Sequence, residues 1–395
     1  MKSLLVVTPR YPYPVIGGDR LRIYHVCKAL SEHFKLTLLS LCDTEDQMLS
    51  PIPDDGVFDR IERVYLSRGV SRLKAFFAAP TGLPLQVAYY RSDTLRERIA
   101  QEASKHDGLL AHLIRTGDAI RHLPQPKFLE MTDAISLNYK RISSERTMYV
   151  DLRSLIFRLE AKRLYRYERA IVDDFDHSFL VSEVDRDFLF EGDLDRLSRV
   201  SVASNGVDLF ELPFNFSPTC GDLVFIGNMS SLQNLDAVQF MAKQVLPLIR
   251  SERPEVRLRI IGRIGGSERA KLNGIDGVHV IGQVDSVSSA ARGGAVGVCP
   301  VRLGAGIQNK VLEYMALGLP TVSTKVGLEG LSAKKDIDLF VADEPEAFAA
   351  HVLCLLNDRN VARRMAESGR RYVELNHGWD SVLRPMLEAI KGHFG

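Results

Sequence analysis

Gly304, Gly306, Asn309, Lys310 and Glu313 stand within the run Pro300-Val-Arg-Leu-Gly-Ala-Gly-Ile-Gln-Asn-Lys-Val-Leu-Glu-Tyr-Met-Ala-Leu-Gly-Leu-Pro-Thr321. Their types and spacing suit the recognition of a phosphorylated ligand. On a 3.6-residue wheel Gly306, Asn309, Lys310 and Glu313 share one face at i, i+3, i+4 and i+7. Val311, Leu312, Met315 and Ala316 fall on the opposite, core-facing side. The polar face begins at free backbone N–H groups, passes a cation and ends in a carboxylate. That order suits a sugar nucleotide, with phosphates at the helix N-terminus and lysine and ribose hydroxyls at the glutamate. A solvated helix face shows the same spacing, but the glycine pair in front and the apolar residues behind favour the ligand. Gly318 and Pro320 stop the helix.

Such a face must be positioned by a larger frame. Leu4-Leu-Val-Val-Thr8 reads as a buried strand, followed by a loop rich in proline and glycine. Ile23, Val26, Cys27 and Leu30 then carry the helical period, and Lys35 to Ser40 reads as a second strand. This β-loop-α-β order implies a right-handed crossover and a parallel sheet. Further strands are expected at Arg63–Leu66, Gly108–Ile114, Lys127–Met131 and His177–Val181, with a long arginine-rich helical region between Ser136 and Asp173. Pro213, Pro218 and Gly221 mark a boundary near Asn205–Asp222. The pattern restarts with strands at Asp222–Gly227, Val256–Ile261, Val278–Ile281, Ala295–Cys299, Thr321–Ser323 and Leu339–Val341, a helix at Asn234–Ile249 and helices after Pro345. The chain therefore reads as α/β, with two Rossmann-like doubly wound domains in tandem, at 1–205 and 206–375. Residues 376–395 form a last helix that crosses back to the first domain. In open parallel sheets ligands sit beyond the carboxyl ends of the strands. The loops at Gly17, Gly227, Arg263, Gly282 and Gly304 are therefore expected around one central cleft.

The donor run, with its continuation Val322-Ser-Thr-Lys-Val-Gly-Leu-Glu-Gly-Leu331, resembles the donor-binding signature of group-1 glycosyltransferases, family 4. The resemblance extends over most of the chain. It takes in Tyr11-Pro-Tyr-Pro-Val-Ile-Gly-Gly-Asp-Arg20, Val181–Asp185, Ser204–Asp208 and Phe225-Ile-Gly-Asn-Met229 with Asn234. Gly306-Ile-Gln-Asn-Lys-Val-Leu-Glu313 is similar to the helix of bacterial exopolysaccharide sugar transferases. The resemblance implies the GT-B fold and a mostly retaining transfer of a sugar from a nucleotide donor, UDP- or GDP-linked, without a metal. The acceptor class implied is a glycan or a polyprenyl-diphosphate-linked sugar in exopolysaccharide or surface-glycan assembly. A catalytically silent nucleotide-sugar-binding partner, or a GT-B epimerase, shares the same signature.

Departure of a nucleoside diphosphate builds negative charge that fixed donors must stabilise. Lys310 with the Gly304 and Gly306 amides is the first choice for the diphosphate, and Glu313 for the ribose. Arg302 is either a further phosphate cation or half of a surface ion pair. Two departures from the family pattern stand out. Ala305 replaces a second glutamate, and Gly227, Asn228, Gln233 and Asn234 occupy the loop where many relatives carry arginine and lysine. The donor sugar is then left to Gly306, Ile307 and Asn309. Gly282 and Val284 lie where related enzymes hold the base through the main chain. Gly17 and Gly18 bring the diphosphate near the next helix, unless Asp19 caps that helix and occupies its amides. Asp133 is the candidate acceptor-side base or else a structural cap, and His112 is a second candidate. A retaining front-face reaction also works without a protein base, the departing phosphate taking the proton.

Bulk properties exclude several other classes. With a net charge of +1, no charge imbalance points to nucleic acid. Neither Gly17-Gly-Asp-Arg20 nor Gly262-Arg-Ile-Gly-Gly266 is the G-x-G-x-x-G of a dinucleotide enzyme. Asp174-Phe-Asp176 imitates a metal-binding Asp-x-Asp but reads as a solvated helix end. Cys27, Cys42, Cys220, Cys299 and Cys354 are scattered and read as reduced, buried thiols. No signal peptide and no apolar stretch of spanning length is expected, so the reading is cytoplasmic. Lys140–Arg169 holds nine Lys/Arg against four Asp/Glu. That run is either a solvated face or, with Arg60–Lys74, a contact with anionic lipid at the inner membrane surface.

Overall fold

The computed structural model describes residues 1–145, 152–219 and 221–394, so Cys220 and the 146–151 part of the basic region lie outside the described residues. The chain divides into two units, Met1–Ser204 with Leu383–Gly395, and Asn205–Val382.

In the first unit, apolar runs form β1 (Lys2–Thr8), β2 (Phe34–Cys42), β3 (Arg60–Tyr65), β4 (Gly108–His112), β5 (Lys127–Thr132), β6 (His177–Leu180) and β7 (Val200–Val202). They pair in parallel in the order β3-β2-β1-β4-β5-β6-β7. Leu4, Leu5, Val6 and Val7 are fully buried, as a strand covered on both faces must be. The order reverses between β1 and β4, which leaves a switch point at their carboxyl ends.

One strand expectation changes, and one strand was not expected. The expected Gly108–Ile114 strand stops at His112, because Leu113 turns into the left-handed region (φ 66°) and opens the Leu113–Ile120 helix. The three-residue β7, with a serine at its centre, is too short to announce itself by period.

The second unit repeats the plan with β8 (Leu223–Ile226), β9 (Leu258–Ile261), β10 (Val278–Gly282), β11 (Val296–Cys299), β12 (Thr321–Ser323) and β13 (Phe340–Val341). Their order is β10-β9-β8-β11-β12-β13, all parallel, with the switch point between β8 and β11. The helix expected over Asn234–Ile249 is instead Leu232–Phe240, a π turn over Met241–Val245, and Leu246–Glu252. Pro247 has no N–H to continue the ladder, and the wider turn ahead of it absorbs the break.

The final helix, Trp379–Phe394, starts in the second unit and ends in the first. Gly206 lies so close to Trp379 that an added Cβ would sit 2.6 Å from its ring. Phe394 packs edge-on against Phe34 and Phe128, with centroids 5.7 and 6.0 Å away. Among the described residues no helix is long and apolar enough to cross a membrane.

Candidate functional site

At the β8–β11 switch point, the loop after β11 feeds the Asn309–Leu317 helix. No side chain caps its N-terminus; Val311 N–H donates to Gln308 O at 2.9 Å, while the Asn309 and Lys310 amides make no hydrogen bond among the described residues and stay open to a ligand. Gly318 closes it in the left-handed conformation (φ 79°). The apolar side is core: Val311, Leu312, Met315 and Ala316 are buried. Gly304 and Gly306 both take positive φ, 145° and 67°, which bends the loop back on the helix start. Ala305 is buried there, and Ile307 is buried in the core of the unit.

Lys310 is buried, an unusual place for an ammonium group. Its Nζ donates to Asn234 Oδ1 at 2.9 Å and Gln308 Oε1 at 3.2 Å, and lies 5.4 Å from the Phe225 ring centroid. Both polar partners are neutral, and burial pushes its pKa down. The ammonium is thus held in place without being neutralised. One turn on, half-buried Glu313 has no hydrogen bond or ion pair among the described residues, and burial pushes its pKa up. Asn309 is half-buried, and its Oδ1 accepts from Asn205 Nδ2 at 2.8 Å.

Around this pair, Asn234 also donates from Nδ2 to Asn228 O at 3.0 Å, while Asn228 Oδ1 accepts from Ser230 N. A Cβ on Gly227 would crowd Asn234 at 3.0 Å, and one on Gly262 would meet Gly227 O at 2.0 Å. These glycines let the two loops touch. Gly282 (φ 94°) accepts from Gly262 N at 2.8 Å, and Val284 packs partly buried on the core. Arg302 is engaged elsewhere: its guanidinium binds Asp236 through Nε at 3.2 Å and a terminal nitrogen at 2.8 Å, over the Phe240 ring at 4.7 Å. Of the two readings left open for Arg302, this is the ion pair.

At the β1–β4 switch point of the first unit, Gly17 (φ 95°) and Gly18 are exposed at the start of the Gly18–Ser31 helix. The alternative in which Asp19 caps this helix is not what the structure shows. Gly17 is the cap residue, and Asp19 turns to Arg10 at 3.0 Å. His112 ends β4 and is buried; its Nδ1–H donates to Glu130 Oε2 at 2.5 Å, and its Nε2 is buried without a partner among the described residues. Glu130 also receives Arg22 Nε at 2.6 Å. Burial opposes its ionisation, yet Arg22 and His112 together bring its pKa down to about 2. Arg22 further donates to the Ala203 and Ser204 carbonyls.

Half-buried Asp133 follows β5, and burial with the nearby Asp185 charge pushes its pKa up to about 7. Leu113 and Thr132, both at φ 66°, sit in the left-handed region directly after His112 and just before Asp133. For a β-branched residue such as Thr132 that is strained backbone, of the kind that collects at functional sites.

The Arg22–Glu130–His112 chain is what sequence reasoning missed. Its signal is Arg22 itself, an arginine at the head of the buried helix positions Ile23, Val26, Cys27 and Leu30. Asp174 and Asp176 serve the fold, pairing with Arg121 and with the Lys127 amide. No group of metal-ligating side chains occurs among the described residues. Cys27, Cys42 and Cys299 are buried free thiols, but Cys354 is exposed, against the buried reading.

Residues 221–358 match the family model described as Glycosyl transferases group 1. A Klebsiella pneumoniae protein, described as an uncharacterized 44.6 kDa protein in the cps region, is 22% identical over 416 positions, covering 98% of this chain and all of the relative. Sucrose-phosphate synthase from Thermosynechococcus elongatus superposes with a TM-score of 0.72 at 15% identity, covering 100% of this chain and 99% of that one. Anabaena HepE in complex with UDP and glucose superposes with a TM-score of 0.69 at 12% identity, covering 99% and 100%.

Proposed function

With residues 221–358 a group 1 glycosyl transferase domain and the chain as a whole in the GT-B fold, we propose that this protein transfers a sugar from a nucleotide-sugar donor to a glycan or a polyprenyl-diphosphate-linked acceptor, with retention. The observation that carries the reading is Lys310, a buried cation held only by neutral groups at an uncapped helix start, with the free carboxylate of Glu313 one turn away. The open amides and Lys310 stabilise the charge that builds on the departing diphosphate. Glu313 takes the ribose hydroxyls.

In this mechanism the bond from the anomeric carbon to the phosphate oxygen breaks, and the bond to the acceptor oxygen forms on the same face. The acceptor proton passes to the departing phosphate or to Asp133. Arg302, engaged by Asp236, leaves Lys310 as the principal cation. The cps-region description of the Klebsiella relative supports exopolysaccharide or surface-glycan assembly as the setting.

Contact with an anionic membrane face is part of the same reading. Val70, Leu73, Phe76 and Phe77 are exposed along the Arg68–Ala78 helix, beside the exposed Arg68 and Arg72. Ile156 and Leu159 are exposed on the basic Leu152–Ile171 helix, whose Arg163 donates to Ala79 O at the end of the first.

Titration with UDP, GDP and dTDP, and nucleotide release from their sugars, test the assignment. Glu313→Ala is expected to weaken the preferred nucleotide by about 1.5–3 kcal/mol, the scale of a charged hydrogen bond. Unchanged affinity, or tight binding with no turnover under any acceptor, removes the enzyme reading.

A further inference from the structure

Arg10 stands two residues beyond the end of β1 and Arg115 three beyond the end of β4, on either side of the first unit's switch point. Between them lies a cavity of about 280 Å³, lined by Arg10, Gln86, Tyr89, Tyr90, Arg115 and Tyr139 among others. Arg115 is held in place by neutral groups, with the Asp133 and Asp19 carboxylates acting on it from beyond ion-pair distance. Its Nε donates to Gln86 Oε1 at 2.8 Å, its guanidinium lies over the Tyr90 ring at 5.2 Å, and it pairs with no carboxylate among the described residues. The other end of the same amide, Gln86 Nε2, is buried with no hydrogen-bond partner among the described residues. Arg10 has one acidic partner, Asp19. The cavity therefore presents Arg10, paired with Asp19, and Arg115, which feels the Asp133 and Asp19 carboxylates without an ion pair to either, together with an unused amide donor and three tyrosine rings. Buried donors left open in this way ask for an acceptor-rich ligand.

We infer that this cavity binds an anionic group of the sugar acceptor, a diphosphate or a uronic-acid carboxylate, on Arg115 and Arg10, with the adjoining sugar against the tyrosines. The inference deepens the proposed transferase function and rests on it for the word acceptor. Guanidinium pairs with either oxyanion in a planar fork, which a neutral hydroxyl cannot match. At about 280 Å³ the volume falls just below the roughly 300–1,000 Å³ typical of ligand pockets, and the site is open to solvent on one side. It admits one charged sugar end, the remainder of the acceptor staying outside. Ala75, on the helix that carries exposed Phe76 and Phe77, also lines the cavity. A lipid arm on a diphosphate held there leaves beside an apolar ridge.

The test is isothermal titration of the full chain, saturated with UDP so that the donor diphosphate site is filled. Inorganic pyrophosphate, sodium glucuronate and glucose are the three probes. Pyrophosphate or glucuronate is expected to bind and glucose to bind at least tenfold more weakly. Whichever anion binds identifies its source. Arg115→Met is expected to lose at least tenfold in that affinity, Arg115→Lys to lose less, and both to melt with the parent chain. Binding of neither anion, equal binding to the parent and Arg115→Met, or binding that UDP saturation abolishes overturns the inference. Absence of UDP binding counts against the donor reading alone; the titration is then run without UDP, and the Arg115→Met difference still decides the cavity.

Discussion

Lys310 and Asp133 are ionisable groups moved away from their ordinary behaviour by burial, and each makes a prediction at its own scale. Lys310 has a lowered pKa and only neutral partners, Asn234 and Gln308. Burying an ammonium costs stability that a methionine of similar shape does not. Lys310→Met is therefore expected to leave the melting temperature equal or higher while nucleotide affinity falls roughly tenfold to a hundredfold. A large loss of stability with affinity intact makes Lys310 a structural residue. Asp133, raised to about 7, holds its proton in the fold at pH values where the unfolded chain, near 3.8, has lost it. The native state thus binds more protons between roughly pH 4 and 7, and stability falls as pH rises through that window. Activity runs the other way if Asp133 is the base, rising to a plateau above pH 7. Asp133→Asn is expected to flatten both slopes. An acidic limb near pH 7 that survives the substitution takes Asp133 out of the reaction.

The elements carry two further expectations. Along the Arg68–Ala78 helix, Phe76 and Phe77 are 72% and 71% exposed, an arrangement that costs a globular surface without returning any packing. The double substitution Phe76→Ser/Phe77→Ser is expected to weaken binding to vesicles containing anionic lipid at least tenfold, since each ring contributes on the order of 1.5–3 kcal/mol when buried. Unchanged vesicle binding, with the melting temperature also unchanged, ends the membrane reading. The loops after β8 and β9 meet so closely that Gly262, at φ 132°, has the Gly227 carbonyl where a side chain would begin. Gly262→Ala is expected to cost about 3 kcal/mol or more in urea unfolding, from strain and clash together, and to weaken nucleotide binding because Asn228 and Asn234 move with Gly227. A neutral result shows that the loop has room to shift.

At the scale of the molecule, the last helix belongs to two units at once. Leu383–Gly395 packs with Met1–Ser204, and Gly108 is so close to Phe394 that an added Cβ would sit 2.5 Å from its ring. Truncation after Val382 is expected to uncover Phe34 and Phe128 and to lower the melting temperature, the size of loss being that of removing a buried aromatic, about 3–5 kcal/mol. An unchanged melting curve places that helix outside the core. Much of this architecture was legible in the chain before any coordinates. Runs such as Leu4–Val7 and Val296–Cys299, separated by helical periods, define a parallel sheet because period and burial are local properties written in neighbouring residues. The Asn309–Lys310–Glu313 part of the polar face was legible for the same reason, since one helix turn fixes which residues share a side; Gly306, expected on that face, instead lies in the loop ahead of the helix with φ 67°. What the sequence left open were meetings between distant residues. Asn234 grips Lys310 across 76 positions, Asp236 draws Arg302 aside across 66, and Arg22 reaches Glu130 across 108. Each depends on which loops the reversal of strand order brings to the same sheet edge, and side-chain spacing along the chain does not encode that. Local period therefore settled most of the elements and the polar side of the Asn309–Leu317 helix, whereas the switch points of the two sheets decided which charges stand paired and which do not.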